Sequence, residues 1–323
     1  ESWSYFYPSV GLTWVVSDMI KTLPGWFTFA KLRASYAQVG NDTDPYQLAP
    51  SFDFFTGGSL GYASRSSTMP APNLKPELTK SKELGFDIRF FQNRVGLDFT
   101  WYRSNSENQL LTVPLPVASG YSNQFINAGN IQNTGIEATL NLKPVEGEFT
   151  WDVAVNFSTN KSLVKKLSEG LTEYTIRGRS WMTTVKVVEG HEFGDIYTRG
   201  FVRNDNGRVL IDANGQPLLT GGQTVAMGNY NPDWIGGINN SFSYKGFDLS
   251  FMIDIREGGD VFSFTQANLA SDGFADYTLK GRDGMVVDGV MESDGSENDI
   301  SVTAEEYWQR LGGRNTPVGE CFK

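Results

Sequence analysis

The side chains able to do chemistry in this sequence are carboxylates, one histidine and a set of aromatics. Asp152 and Asp254 are carboxylates of the kind that serve a glycosidase as acid and base. A polar, water-filled interior carries many such groups, and no enzymatic activity is read from them. His191-Glu192 lacks the second histidine of a metalloprotease helix, because His191 is the single histidine of the chain. Asp212-Ala213-Asn214-Gly215 opens like a calcium loop, but no acidic residue closes it at the twelfth position, so it reads as a turn. The acidic stretch from Asp283 to Asp299 has carboxylates for a hard cation and reads as a solvated outer loop. No metal and no cofactor is expected. The remaining candidates are aromatics between the regular segments: Phe52, Phe54, Phe55, Tyr62, Tyr121, Phe125 and Trp181. Their flat faces suit the apolar face of a sugar ring. Their ordinary role is to pack the loops on each other.

Composition narrows the classes. The 323 residues carry a net charge of −10, which argues against a nucleic-acid partner. The lone Cys321 makes no internal disulfide. No run of eighteen apolar residues is present, so no membrane-spanning helix is expected; a membrane β-strand needs only about ten alternating residues.

The elements that position these residues are strands. Phe247, Leu249, Phe251, Ile253 and Ile255 alternate with Asp248, Ser250, Met252, Asp254 and Arg256. Period two means a strand with one oily and one wet face. The same pattern predicts strands near 5–16, 26–39, 82–91, 95–103, 134–142, 149–158, 234–244 and 247–257. They fall into four pairs, joined by short turns at one end. Long connections at 41–80, 104–130, 160–233 and 258–323 are expected to be outer loops, with short helices near Phe264–Leu269 and Ala304–Leu311.

Short turns at one end and long loops at the other are the asymmetry of an outer-membrane barrel. Aromatics near the strand ends (Tyr5, Tyr7, Phe90, Phe91, Phe149, Trp151, Tyr244 and Phe247) fit interfacial girdles. Lys31, Arg33, Asp87, Arg89, Asp98, Glu137, Asp152, Asp248, Asp254 and Arg256 would face a wet lumen; in a dry core they would be costly. Eight strands with that many interior charges read as part of a larger barrel. The alternative is a soluble β-sandwich, a carbohydrate-binding or adhesin module. The fold class expected is therefore all-β: part of a large transmembrane antiparallel β-barrel with long extracellular loops, occupying 1–323.

Several segments resemble one family. Phe6-Tyr7-Pro8-Ser9-Val10-Gly11 is similar to its FPS-containing strand, and Lys31-Leu32-Arg33-Ala34-Ser35-Tyr36 to its KLRASY segment. Asn73-Leu74-Lys75-Pro76-Glu77, Asn127-Ala128-Gly129-Asn130-Ile131-Gln132-Asn133-Thr134-Gly135-Ile136-Glu137 and Gly228-Asn229-Tyr230-Asn231-Pro232-Asp233-Trp234 follow in family order. The chain thus resembles the SusC/RagA-like TonB-dependent outer-membrane transporters, from residue 6 to about 260. The resemblance implies a 22-stranded-type barrel, with the plug domain and coupling segment outside this chain. It implies import of large nutrients, chiefly oligosaccharides and in some members peptides, across the outer membrane of a Gram-negative cell. The implied partners are a SusD-like lid lipoprotein, the TonB complex acting through the N-terminal region, outer-membrane lipid, and a second copy in a dimer of transporter–lid pairs.

Overall fold

The computed structural model describes residues 5–20, 22–42, 48–57, 61–168, 170–179, 182–313 and 317–323. In chain order the elements begin with β1 (Ser9–Val15), α1 (Val16–Met19), β2 (Phe27–Asn41), β3 (Phe52–Phe55), β4 (Tyr62–Arg65) and β5 (Thr68–Met69). The long strands β6 (Glu77–Phe90), β7 (Val95–Pro114), β8 (Asn123–Val145) and β9 (Phe149–Lys166) follow. Next come β10 (Glu173–Arg179), β11 (Thr183–Val188), β12 (Asp195–Thr198), β13 (Leu210–Ile211), β14 (Val225–Asn229), β15 (Trp234–Tyr244) and β16 (Phe247–Glu257). The last part holds α2 (Phe264–Ser271), β17 (Met285–Val286), β18 (Val290–Met291), β19 (Ser301–Val302), α3 (Ala304–Leu311) and α4 (Gly319–Phe322).

Two compact units result. One comprises Glu1–Thr172, Val188–Glu192 and Pro232–Gly258. Its main sheet runs β1-β2-β6-β7-β8-β9-β15-β16, each strand antiparallel to the next, with β5 added in parallel to the start of β8. Lys245 and Gly246, both at positive φ, close the β15–β16 turn, the backbone that matches the twist of a two-residue hairpin. Phe91, Gln92 and Asn93 close the β6–β7 turn, also at positive φ.

The register measures the tilt of these strands. The β6–β7 turn begins directly after the row that holds Phe90 and Val95. That row runs on through Leu142 and Val153 to Asn240 and Phe251, where the turn lies four residues further, beyond Tyr244 and Phe247. Four residues across four strand spacings, at about 3.3 Å and 4.8 Å respectively, give a tilt of about 35°. Membrane barrels tilt by roughly that angle.

The second unit comprises Glu173–Val187, Phe193–Asn231 and Gly259–Lys323. It holds the four-stranded sheet β10-β11-β12-β14 and the two-stranded sheets β13-β18 and β17-β19. Ala267, Ala270 and Phe322 are buried against Phe262, Phe264, Trp308 and Cys321. Thr303 caps α3 in a reciprocal capping box with Glu306. The stretches 160–233 and 258–323 hold short elements, among them α2 and α3 where helices are expected near Phe264–Leu269 and Ala304–Leu311. The stretch 104–130 departs most from expectation. β7 and β8 continue through it as a paired ribbon, leaving only 115–122 as a turn.

Candidate functional site

The register sorts every side chain of the large sheet onto one of two faces. One face carries rows such as Trp14–Leu32–Phe86–Phe99–Ala138–Phe157 and Ala30–Ile88–Leu97–Leu140–Val155–Ile238–Ile253. Phe247, Leu249, Phe251, Ile253 and Ile255 all lie on it and all are exposed, Phe247 at 82%. Aromatics border it at the short-turn end. Trp26 stacks on Phe90, and Trp151 and Phe149 stack on Phe242. At the other end Phe157 meets Trp234. From Trp234 to Tyr244 is ten residue steps, about 27 Å of height at a 35° tilt. The apolar band of a membrane barrel is about 25 Å tall.

Deep within that band the face holds the polar side chain of Asn240, which is buried. The Trp151 indole donates to its Oδ1 at 3.3 Å, so that oxygen has a partner.

The opposite face is wet. Lys31, Asp87 and Asp98 fall in one row, with Arg33 and Arg89 in the rows beside it. Arg33 grips Asp98 with both terminal nitrogens and also donates to Thr100 at 2.7 Å. Arg89 donates to both oxygens of Asp87, and Lys31 stands 3.6 Å from the same carboxylate. Glu137, Asp152, Asp248, Asp254 and Arg256 share this face. Val15, Phe29, Val39, Ile235 and Met252 are apolar side chains on this face. Asp152 and Asp254 are two strands and four residues apart in register. That is about 16 Å along the sheet, outside either glycosidase spacing.

Past the apolar band the long connections are tied into place. β3 and β4 form a small hairpin in which Phe55 stacks on Tyr62 at 5.3 Å. Phe52 and Phe54 lie on its other face, 57% and 85% exposed. Arg65 lies over the Tyr121 ring at 4.0 Å and donates to the Gly120 carbonyl, fastening the hairpin to the β7–β8 turn. Phe125 is half-buried within β8. Of the seven candidate aromatics, Phe55, Tyr62 and Tyr121 are therefore engaged with other side chains. Phe52 and Phe54 present free faces. Trp181 lies outside the described residues.

The motif residues turn out to be knots. The Asn127 amide donates to the carbonyls of Lys75 and Asn108, and its oxygen accepts from the Lys75 N–H at 2.7 Å. Glu77 accepts from the Leu110 N–H. Gly129 takes φ +77° where a Cβ would run into the Lys166 carbonyl. Asn229 donates to Asp195 and Phe193, Asn231 donates to Phe193, and the Asn229 N–H donates to Asp260. Asp212 accepts from the backbone of Asn214 and Gln216 and pairs with Arg310, so that segment is a turn. Glu192 is engaged by Lys161. Among the described residues no group of three or more metal-ligating side chains converges. No helix there is long and apolar enough to cross a membrane, which says nothing of strands.

Comparison with known proteins agrees with this geometry. Residues 1–273 match the family model described as TonB dependent receptor-like, beta-barrel. TonB-dependent receptor P3 of Formosa agariphila is 29% identical over 297 residues, covering 82% of this chain and 29% of the relative. TonB-dependent receptor SusC of Bacteroides thetaiotaomicron is 25% identical over 294 residues, covering 83% of this chain and 29% of the relative. The chain therefore spans under a third of the length of these relatives. Among solved structures, the RagAB peptide transporter aligns with a TM-score of 0.62 at 23% identity, over 77% of this chain and 29% of that one. The RagAB peptide importer in its closed-closed state aligns at 0.67 and 19% identity, over 98% of this chain and 35% of that one. At such identities the two structures support the fold alone. The chain belongs to the TonB dependent receptor-like β-barrel family, and its large sheet is part of an outer-membrane barrel wall.

Proposed function

We propose that the chain is a wall segment of an energised importer for large polar nutrients, with oligosaccharides as the cargo class. The observation that carries this reading is the two-faced sheet: an apolar band about 27 Å tall on one side and an ion-paired, hydrated face on the other. A wall of that design separates lipid from a wide polar passage. The exposed rings of Phe52 and Phe54 support a sugar cargo, because they offer flat apolar surfaces beyond the band. A SusD-like lid lipoprotein, the TonB complex and a dimer of transporter–lid pairs complete the proposal, in keeping with the family.

The test is uptake by cells making the full-length protein. A panel of labelled oligosaccharides and peptides should show import of an oligosaccharide that stops when TonB or the neighbouring lid lipoprotein is deleted. Import that survives loss of TonB refutes the energised mechanism. Import of peptides alone refutes the cargo class.

A further inference from the structure

The lipid-facing side ends in a basic row. Tyr36, Lys82, Arg103, Thr134 and Lys161 stand side by side on β2, β6, β7, β8 and β9, just past the row of Leu84, Trp101 and Ile136. Lys161 is neutralised by Glu192 at 2.5 Å, and one row further out Lys80 meets Glu107 at 2.6 Å. Lys82 and Arg103 are different. They face each other directly across the β6–β7 ladder, both are exposed, and neither makes an ion pair among the described residues. Arg103 only leans over the Trp101 ring at 5.7 Å. Like charges directly opposite destabilise a sheet, and in a chain of net charge −10 the usual acidic partner is missing here.

Immediately below the pair lies a groove of about 530 Å³ on the same face. Leu12, Trp14, Leu32, Leu84, Phe86 and Trp101 line it, and its surface is almost wholly apolar. Leu84 and Trp101 are the next outward-facing neighbours of Lys82 and Arg103 along their strands. The pair stands eight residues from Phe90 and Val95 at the short-turn end, a height of about 22 Å in a band of about 27 Å. Side chains as long as Lys and Arg reach the headgroup level from that depth.

We propose that this groove and the Lys82–Arg103 pair hold one lipid of the outer leaflet with a phosphate-bearing headgroup. An acyl chain fills the groove and the phosphate sits between the two cations. This turns a repulsive cross-strand pair into a bridged one. The inference rests on the outward orientation of this face and is independent of the cargo.

The experiment is native mass spectrometry of the full-length protein in detergent, titrated with lipid A, with dephosphorylated lipid A and with inorganic phosphate. One equivalent of lipid A should be retained, and the Lys82→Gln/Arg103→Gln variant should weaken retention at least tenfold. Lys80→Gln, whose partner is Glu107, should change it less than twofold. Equal retention of lipid A by the double variant, equal retention of the dephosphorylated form, or displacement by inorganic phosphate alone each overturns the proposal. Folding is checked by heat-modifiable gel mobility. Should the double variant fail that check, Lys82→Gln and the groove variant Trp101→Leu are measured singly, and the proposal is overturned if neither weakens retention threefold.

Discussion

Phe251 and Met252 are adjacent on β16, and the register puts them on opposite faces of the wall. A charge introduced at each therefore tests the orientation on one strand at nearly the same height. Phe251 stands four residues from Phe247 at the inner girdle, about 11 Å up a band about 27 Å tall, close to its middle. Arginine at the midplane of a lipid-facing wall costs about 2–4 kcal/mol, a factor of roughly 30 to 1,000 in the folded-to-unfolded ratio. Phe251→Arg also gives up the stack with Phe242 at 6.0 Å, about 0.5–1.5 kcal/mol for an aromatic pair. Met252 is paired with Asn239 on the polar face and is 64% exposed. Met252→Arg should therefore stay within about 0.5 kcal/mol of the parent, as surface changes usually do. The assay is urea unfolding of the full-length protein in lipid vesicles, followed by tryptophan fluorescence, with folded yield read from gel mobility. Equal costs for the two variants, or a larger cost at Met252, would refute the assignment of faces.

Other consequences are smaller and more local. Trp151→Phe keeps the ring but removes the donor to Asn240, leaving a buried amide oxygen unsatisfied; the expected loss is about 1–3 kcal/mol, and adding Asn240→Leu should restore most of it in the same unfolding assay. Arg65→Ala releases the β3–β4 hairpin from Tyr121 and Gly120, a loss of about 0.5–1 kcal/mol for an exposed cation–π contact, and should show as faster amide exchange in residues 52–65 with exchange in β7 unchanged. Burial pushes the Cys321 thiol up to about 12, so the folded chain holds a proton there that the unfolded chain releases near pH 8.5. Its stabilising contribution is therefore complete below that pH and declines as pH rises toward 12; at pH 9 alkylation by iodoacetamide should be slower than in urea by roughly a thousandfold, and a rate within tenfold of the urea value would contradict the burial. Backbone and hydroxyl donors of Thr303 hold the Glu306 carboxyl below its usual value, so the cap of α3 is intact above about pH 4.3 and is lost as pH falls through the lower folded value, read as faster exchange in the first turn of α3 below pH 4.

Why some of this was legible in the sequence follows from where the two faces of a strand see different solvents. Between the girdles one face meets lipid and the other water, so the residues of Leu84 to Phe90, Val95 to Trp101 and Phe247 to Arg256 alternate, with Met252 the break, and the alternation marks both the strands and their orientation. Past the band both faces meet water. β7 and β8 continue as a ladder to Pro114 and from Asn123, yet their side chains there are a mesh of amides: Gln132 donates to Asn105, and Asn105 to Asn130. The apolar residues among them (Leu110, Leu111, Val113, Phe125 and Ile126) keep no sustained period, so the same backbone structure reads as a loop. The second unit hides for another reason. Its strands are mostly two to seven residues long, and it is fastened by side-chain-to-backbone bonds such as those of Asp212, Asn229 and Asn231, which have no period. The motif segments identified a family without identifying a site, because Asn127, Gly129 and Asn229 hold backbone to backbone. Their chemistry is needed whatever the cargo. A residue that meets cargo must keep a free face, and composition alone does not separate Phe54, which stands open, from Phe55, which is spent on Tyr62. Under the proposed import function, cargo selectivity would rest on side chains that leave no periodic trace, and the route to them is the pairing register of the hairpins that carry them.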